Sequence, residues 1–316
     1  MDENPGMTRS PFVTAVCVLA LAAAVGSATG HPVGGCAIFP PSNPWNQRVD
    51  SLPVASNSDT IIRSIGASGG LHPDFGSGLY DGAPIGIPYT TVKRSQPRVR
   101  VSFDYSDESD KGPYPIPRNA PIEGGRNSDG DRHVIVVDRG ECKLYELYAA
   151  YPKNGGASWH AGSGAIWSLK SNKLRPAGWT SADAAGLPIL PGLARWSDIQ
   201  KGGIDHALRF TADRTRKAYI YPARHYASSL TDMSLPAMGQ RLRLKAGFDV
   251  SGFPPQARAV LNALERYGMI LADNGSSWYI TGAPDRHWNN DDLHSLGRVK
   301  GSDFEVVDTS RLPRPG

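Results

Sequence analysis

The stretch "DGDRHVIVVDRGECKLYELYAAY", residues 129–151, limits the possible folds more than any other part of the chain. Two apolar runs, "HVIVVD" and "KLYELYA", flank a short polar segment that contains a glycine. This pattern is typical of a β-hairpin. Because side chains alternate between the two faces of a strand, the hairpin is predicted to turn one apolar face toward a core.

The register of this hairpin decides which polar side chains meet. If residues 139–140 form a two-residue turn, His133 lies directly opposite Glu146, and Asp131 lies opposite Tyr148. A buried carboxyl group beside an imidazole has a shifted pKa, which suits general acid–base catalysis. We therefore predict that Glu146 and His133 are catalytic and that Asp131 and Tyr148 bind substrate. The alternative is a hydrogen-bonded pair at the edge of a core, and a three-residue turn would separate the two side chains.

A second hairpin is predicted from "HALRFTA" and "KAYIYPA", with "DRTR" as the turn. In that register His206 and His225 are diagonal neighbours on one face, and Asp205 pairs with Arg224 on the other. We predict that the two histidines bind substrate, since such a pair can act as a base or as metal ligands. The alternative is a structural role for both.

Acidic side chains outside the hairpins offer further candidates. Glu123 precedes two glycines that allow close backbone approach, and Asp183 lies in an irregular apolar segment where an unneeded carboxylate is costly. We predict that both are catalytic; the alternative for Asp183 is that it caps a short helical turn. A further acidic cluster is either a solvated loop or a structural Ca²⁺ site with oxygen ligands, and its members are Asp104, Asp107, Glu108 and Asp110. No other cofactor or metal is expected.

The remaining pattern favours short strands over long helices. The 35 glycines and 26 prolines predict many turns. One helix is predicted at about residues 255–267, with Pro255 at its start and Gly268 at its end. A third hairpin is predicted around Asn274-Gly275. We therefore predict a mainly β fold, an antiparallel β-sandwich or jelly-roll-like single domain over residues 31–316.

Charge and motif content disfavour several functional classes. The formal net charge is +4 and the basic residues are scattered, so nucleic-acid binding has little support. The sequence has no HExxH, CxxC, P-loop or GxGxxG motif. Zinc proteases and nucleotide enzymes of the usual type are therefore disfavoured.

Residues 1–30 have the layout of a secretory signal peptide. Arg9 precedes an apolar run from Phe12 to about Val25, and small residues follow. This run is shorter than the ~20 apolar residues of a membrane span. We therefore predict a secreted, extracellular and monomeric protein that is not attached to a membrane after cleavage.

Two cysteines remain after removal of a signal that contains Cys17. In an oxidising compartment Cys36 and Cys142 most simply form one disulfide. One alternative is a lipid anchor on Cys36, because "VGGC" loosely resembles a lipobox. Another is cleavage after Gly30, which would leave His31 as an amino-terminal residue able to chelate copper, as in oxidative polysaccharide-cleaving enzymes.

Several of the seven tryptophans lie in loop-rich segments. Flat aromatic faces stack on sugar rings, although they also fill cores. Trp179, in "LRPAGWTSADAAG", is predicted to bind substrate.

In "GDRHVIVVDRGECKLYELY", "LRPAGWTSADAAGLPILPG" and "IDHALRFT" the chain resembles a group of exported bacterial proteins common in actinobacteria-like genomes. The resemblance covers nearly all of the chain after the signal. It implies secretion and a single shared domain, and it implies no particular mechanism.

These features together predict a secreted enzyme that acts on an extracellular polysaccharide. Glycoside hydrolysis is the simplest reaction, because it needs two carboxyl groups. Glu146 with Glu123 or Asp183 would form the pair, and His133 would tune it. In a lyase, His133 and Tyr148 would serve as base and acid. The alternative from another class is a non-catalytic protein that binds carbohydrate or cell wall.

Overall fold

Strands predominate in the computed structural model, which describes residues 1–2 and 31–315. Strands form 25% and helices 16% of the structure, which confirms a mainly β fold. Apart from Met1 and Asp2, the predicted signal peptide lies outside the described residues. The strands are β1 (His72–Asp74), β2 (Leu79–Tyr80), β3 (Ala83–Pro84), β4 (Tyr89–Val92), β5 (Arg100–Phe103), β6 (Val134–Asp138), β7 (Lys143–Tyr148), β8 (Tyr151–Lys153), β9 (Ser158–Ala161), β10 (Ser163–Ser168), β11 (Leu208–Ala212), β12 (Arg241–Leu244), β13 (Met269–Asn274), β14 (Tyr279–Thr281) and β15 (Phe304–Val306).

The described helices are short except for the predicted one. Pro255 stands in the first turn of that helix, and Gly268 follows its end with a positive φ of 65° that favours glycine. None of the helices in the described part of the chain is both long and apolar enough to span a membrane. The α-helices are α1 (Ser58–Ile65), α2 (Trp196–Ile199), α3 (Pro255–Arg266) and α4 (Asn290–His294), and the 3₁₀ turns are Pro44–Asn46, Asn154–Gly156, Leu190–Gly192, Ser295–Arg298 and Gly301–Asp303.

The strands form two larger and two smaller sheets. A six-stranded sheet has the order β1-β14-β11-β13-β12-β15, and a four-stranded sheet has the order β10-β7-β6-β4. The smaller sheets are β5-β9-β8 and β2-β3. The predicted antiparallel pairing is present only in part, because β1 pairs with β14, β11 with β13, β4 with β6 and β5 with β9 in parallel.

Strands β6 and β7 form the first predicted hairpin, but the predicted register is wrong. Ile135, not His133, lies opposite Glu146. The carboxylate of Asp138 accepts hydrogen bonds from the backbone N–H groups of Gly140 and Glu141, at 2.9 and 3.3 Å, which extends the turn to residues 139–142.

The longer turn keeps the parity of the hairpin, so His133 and Glu146 still share a face as diagonal neighbours. The rings of His133 and Tyr148 lie with centroids 5.9 Å apart on that face. Asp131 is not opposite Tyr148, because its carbonyl accepts from the backbone N–H of Ala149.

The third predicted hairpin does not form, because β11 lies between β13 and β14 in the sheet and pairs with both of them. The second predicted hairpin does not form either, because residues 217–223 form no strand. His206 and His225 are therefore not diagonal neighbours, and Asp205 lies near His31 rather than Arg224.

One apolar core is shared by the two larger sheets. Ile135 and Val137 of β6 belong to it, together with Phe210 of β11 and Leu271 of β13. The opposite face of β6, with Val136, belongs to a second core that also contains residues of β9. Because β6 is buried on both faces, its sequence is a continuous apolar run.

The predicted disulfide between Cys36 and Cys142 is present and joins residues 106 positions apart. It links the start of the described segment to the turn between β6 and β7. This pairing leaves no free thiol on Cys36 for a lipid.

Removal of this disulfide has a large expected cost. Replacing both cysteines with serine should lower the free energy of unfolding by about 2–5 kcal/mol, since closure of so long a loop restricts the unfolded chain most. Urea denaturation of the oxidised wild type and of the double variant measures the difference. Equal midpoints for the two proteins would contradict it, and reduced wild type should match the variant.

Candidate functional site

Two cavities meet beside the carboxyl end of β13. Asp131, Asp273 and Asn274 line both of them, and we call the joined cavities the acidic cleft. The larger cavity, about 370 Å³, is also lined by Tyr105, Glu108, Tyr148, Ser163, Thr180, Ser181, Ala182, Asp183, Ala184, His225 and Ala227. The smaller cavity, about 240 Å³, is also lined by Asp74, Ile87, Glu123, His133, Arg209, Thr211, Gly275, Ser276, Tyr279 and Thr281.

An irregularity in the six-stranded sheet brings Asp273 to the cleft. Arg209 and Thr211 share a face of β11, and the register against β13 shifts between Phe210 and Thr211, so that Thr211 pairs with Asp273. Without this shift Thr211 would pair with Ala272, and Asp273 would point to the opposite face. The shift therefore places Asp273 on the same face as Arg209.

A single guanidinium group organises the floor of the cleft. Arg209 donates to both oxygens of Asp183, at 2.9 and 2.8 Å, and to Asp273 Oδ2 at 3.1 Å. Its remaining nitrogen donates to Thr281 Oγ1 at 2.7 Å. Arg209 and Asp183 are buried, so the charged bidentate pair holds both carboxylates in fixed positions.

The pKa of Asp273 suits this carboxyl group to proton transfer near neutral pH. Burial, and then the nearby Asp183 carboxylate, raise the pKa of Asp273 to about 7, although Arg209 opposes this shift. Near neutral pH the group is therefore divided between acid and carboxylate. A carboxyl group in this state can donate or accept a proton at the junction of the two cavities.

His133 is a buried cation paired with Glu123. Its Nδ1 lies 2.5 Å from Glu123 Oε2, and its Nε2 donates to the carbonyl of Ala182 at 3.0 Å. Burial alone would lower the pKa of His133, but the Glu123 carboxylate outweighs it and raises the pKa to about 9. Both ring nitrogens therefore carry protons at neutral pH, and neither can accept one.

Glu146 lies beneath the cleft and not in its wall. The side chain is fully buried, and its carboxyl oxygens accept from the backbone N–H groups of Ile189 and Leu190 at 2.9–3.0 Å. Burial raises the pKa of Glu146 to about 7, while these two hydrogen bonds oppose the shift. The geometry makes Glu146 a support for the segment that enters the Leu190–Gly192 turn.

Four other predicted residues lie together in the wall of the larger cavity. They are Asp131, Tyr148, Asp183 and His225. His225 Nδ1 donates to the carbonyl of Ala184 at 2.8 Å, which assigns the proton to that nitrogen. The structure therefore brings Asp183 and His225 to the same cavity as Asp131 and Tyr148, the two residues that the sequence had already placed together.

His206 and Trp179 lie elsewhere. His206 is buried against Asp198 and Arg195, with Nε2 at 3.3 Å from Asp198 Oδ2, and it lines neither cavity of the cleft. Its prediction as a substrate ligand has no geometric support. Trp179 lines a separate groove next to the cleft.

The acidic loop is tied to the protein rather than gathered around a metal. Asp110 forms an ion pair with Arg175, and Asp104 lies 3.2 Å from His160 Nε2. His31, the residue considered above as a copper ligand, has its Nε2 3.1 Å from the carbonyl oxygen of Gly203. Within residues 1–2 and 31–315, no group of three or more His, Cys, Asp or Glu side chains is placed to hold a metal ion.

Arg209 and Asp273 are central to the cleft but are not among the residues predicted from sequence. Each is a charged residue within or at the end of an apolar strand, in "HALRFTA" and "MILADN". A buried charge at such a position is costly without a partner of opposite charge. The presence of one basic and one acidic residue in two apolar strands is therefore the signal that could have indicated the contact between Arg209 and Asp273.

Comparison with known proteins identifies no relative: no family model, no curated protein and no solved structure matches the chain.

Proposed function

We propose that this protein is an exported glycoside hydrolase that acts on a neutral extracellular polysaccharide. The observation that carries the proposal is the position of Asp273 at the junction of two cavities, with its pKa raised to about 7. Such a group is a competent general acid for the leaving oxygen of a glycosidic bond. Glu146, the acid chosen from sequence, has no access to the cleft.

Asp131 is the second carboxyl group in this proposal. It lines both cavities and is exposed, and its carboxylate has no hydrogen-bond or ion-pair partner among residues 31–315. A free carboxylate facing the same space as Asp273 can act as base or nucleophile. Glu123 is less suited, because Oε2 is held by His133.

The other predicted catalytic residues become positioning residues. Asp183 forms the bidentate pair with Arg209, and its charge adds to the effect of burial in raising the pKa of Asp273. His133 holds Glu123 and the backbone of Ala182, which lies in the wall of the larger cavity. Neither side chain needs to touch substrate to affect the reaction.

The charge of the cleft favours a neutral substrate over a polyuronate. Six carboxyl groups line it, against the cations Arg209 and His133 and the single further histidine His225. Carboxylates on a substrate would be repelled by the excess of acids. The lyase reaction of polyuronates, with His133 as base, is also disfavoured because both nitrogens of His133 already donate.

Location and architecture form part of the same proposal. The disulfide is typical of proteins in an oxidising compartment, which supports export. The core shared by the two larger sheets supports a single domain with sandwich-like packing over residues 31–316.

A product-release screen tests the function. The secreted protein is incubated with neutral arabinan, galactan, glucan, mannan and xylan and with anionic alginate and polygalacturonate. New reducing ends are expected from a neutral polymer and not from the anionic ones. Unsaturated products absorbing near 230 nm would show a lyase, and binding without any release would show a carbohydrate-binding protein.

A further inference from the structure

A second recess lies next to the acidic cleft. It is a groove of about 600 Å³, which we call the tryptophan groove, and its defining residues are Asp110, Lys143, Trp167, Lys173, Arg175 and Trp179. Trp179 is half-buried and presents an aromatic surface in this groove, whereas Trp167 is almost fully buried. The indole face of Trp179, with polar residues beside it, is a surface on which a sugar ring can stack.

Arg175 makes the groove rigid. Its guanidinium carbon lies 5.7 Å from the ring centroid of Trp167 and 5.5 Å from that of Trp179. The same group donates to the carbonyls of Thr180 and Glu108 at 2.6 and 2.7 Å and forms an ion pair with Asp110. The position of Trp179 is therefore set before any ligand arrives, which lowers the entropic cost of binding.

The same contacts join the groove to the acidic cleft. Thr180 and Glu108, which Arg175 holds, line the larger cavity of the cleft, and Trp179 precedes Thr180 in the chain. Glu108 is also held by the backbone N–H of Thr180, which donates to its carboxylate at 2.9 Å. One short wall therefore separates the cleft from the groove.

We infer that the tryptophan groove is a remote subsite for further sugar units of the polysaccharide that is cleaved in the acidic cleft. This inference rests on the proposed function. Trp179 stacks against a neutral sugar ring, and Arg175 fixes its orientation. The enzyme then binds a polymer across both recesses and cuts it internally, so affinity depends on chain length.

Oligosaccharides of increasing length, prepared from the polymer cleaved in the screen, test this inference. Trp179→Ala should raise KM about tenfold for long oligosaccharides and leave kcat unchanged. It should not change KM for the shortest substrate that is cleaved. Trp179→Tyr should restore most of the affinity, and Trp196→Ala, at a half-buried tryptophan outside both recesses, is the control.

An equal rise in KM for every chain length, or no rise for any, would overturn the inference. If no polymer is cleaved, affinity electrophoresis of wild type and Trp179→Ala in gels that contain each polymer of the screen gives the answer. Weaker retention of the variant would support the groove although the hydrolase proposal fails. Equal retention, or retention of neither protein, would reject the groove.

Discussion

Replacing Asp273 with asparagine should lower kcat on the natural polysaccharide by about 10²–10⁴-fold, the usual contribution of a general acid. Asparagine cannot donate a proton to the leaving oxygen. The fold should survive, because Arg209 keeps its bidentate pair with Asp183. In the wild type, kcat/KM should fall as the pH rises above about 7, because Asp273 then loses its proton. Initial rates of reducing-end formation from pH 4 to 9 measure both effects.

A substrate with a good leaving group distinguishes loss of the general acid Asp273 from a general loss of folded protein. An aryl glycoside with an acidic phenol leaves without protonation, so Asp273→Asn should retain most of the wild-type rate on it. Asp129→Asn is the matched control, because Asp129 is exposed and lines neither part of the cleft. Wild-type rates for Asp273→Asn on the polysaccharide would remove Asp273 from the mechanism.

Replacing Arg209 with methionine should lower the free energy of unfolding by about 3–5 kcal/mol, because the carboxylate of Asp183 is then left buried without its cation. This expectation does not depend on the function of the protein. Urea denaturation at pH 7.5 measures it, and the Arg243→Met variant is a useful comparison because Glu305, the partner of Arg243, is less buried.

The double variant Arg209→Met with Asp183→Leu isolates the pair. Removing both charges leaves no unpaired carboxylate on Asp183, so the double variant should be more stable than Arg209→Met alone. A double variant whose loss equals the sum of the two single losses would show that the charges are not coupled. Such a result would also weaken the assignment of Asp183 as the group that raises the pKa of Asp273.

Local sequence pattern was sufficient for some elements. The apolar runs of β6 and β7 and the proline and glycine at the ends of α3 mark these elements directly. The cysteine count was sufficient for the disulfide. The strands and the helix depend on residues that are neighbours in the sequence. The disulfide could be predicted because only two cysteines remain after the signal peptide.

Longer-range features were not accessible. The turn after β6 depends on whether the Asp138 side chain binds the backbone of Gly140, which no spacing rule decides. The insertion of β11 between β13 and β14 joins segments about sixty residues apart. Strand pairing of this kind depends on the packing of the whole chain. For this reason the local turn signal Asn274-Gly275 predicted a hairpin between β13 and β14 that does not form.

The acidic cleft was only partly predictable for the same reason. Asp131, Tyr148 and His225 were chosen from hairpin registers that do not form, and Asp183 was chosen for its apolar surroundings. The four residues nevertheless line one cavity. Asp273 was missed because its direction depends on the register shift opposite Phe210. One extra residue in a strand moves all the residues after it to the opposite face of the sheet. The alternation of apolar and polar residues does not show where that extra residue lies.

The strand order also determines when the acidic cleft can form during folding. In the six-stranded sheet, β1 pairs with β14, and their registered residues His72 and Tyr279 are far apart in the chain. The edge strand β15 follows at residues 304–306. Contacts between such distant segments close late and fold slowly. The floor of the cleft, which needs β11, β13 and β14 side by side, can therefore form only after the chain has been synthesised beyond β14.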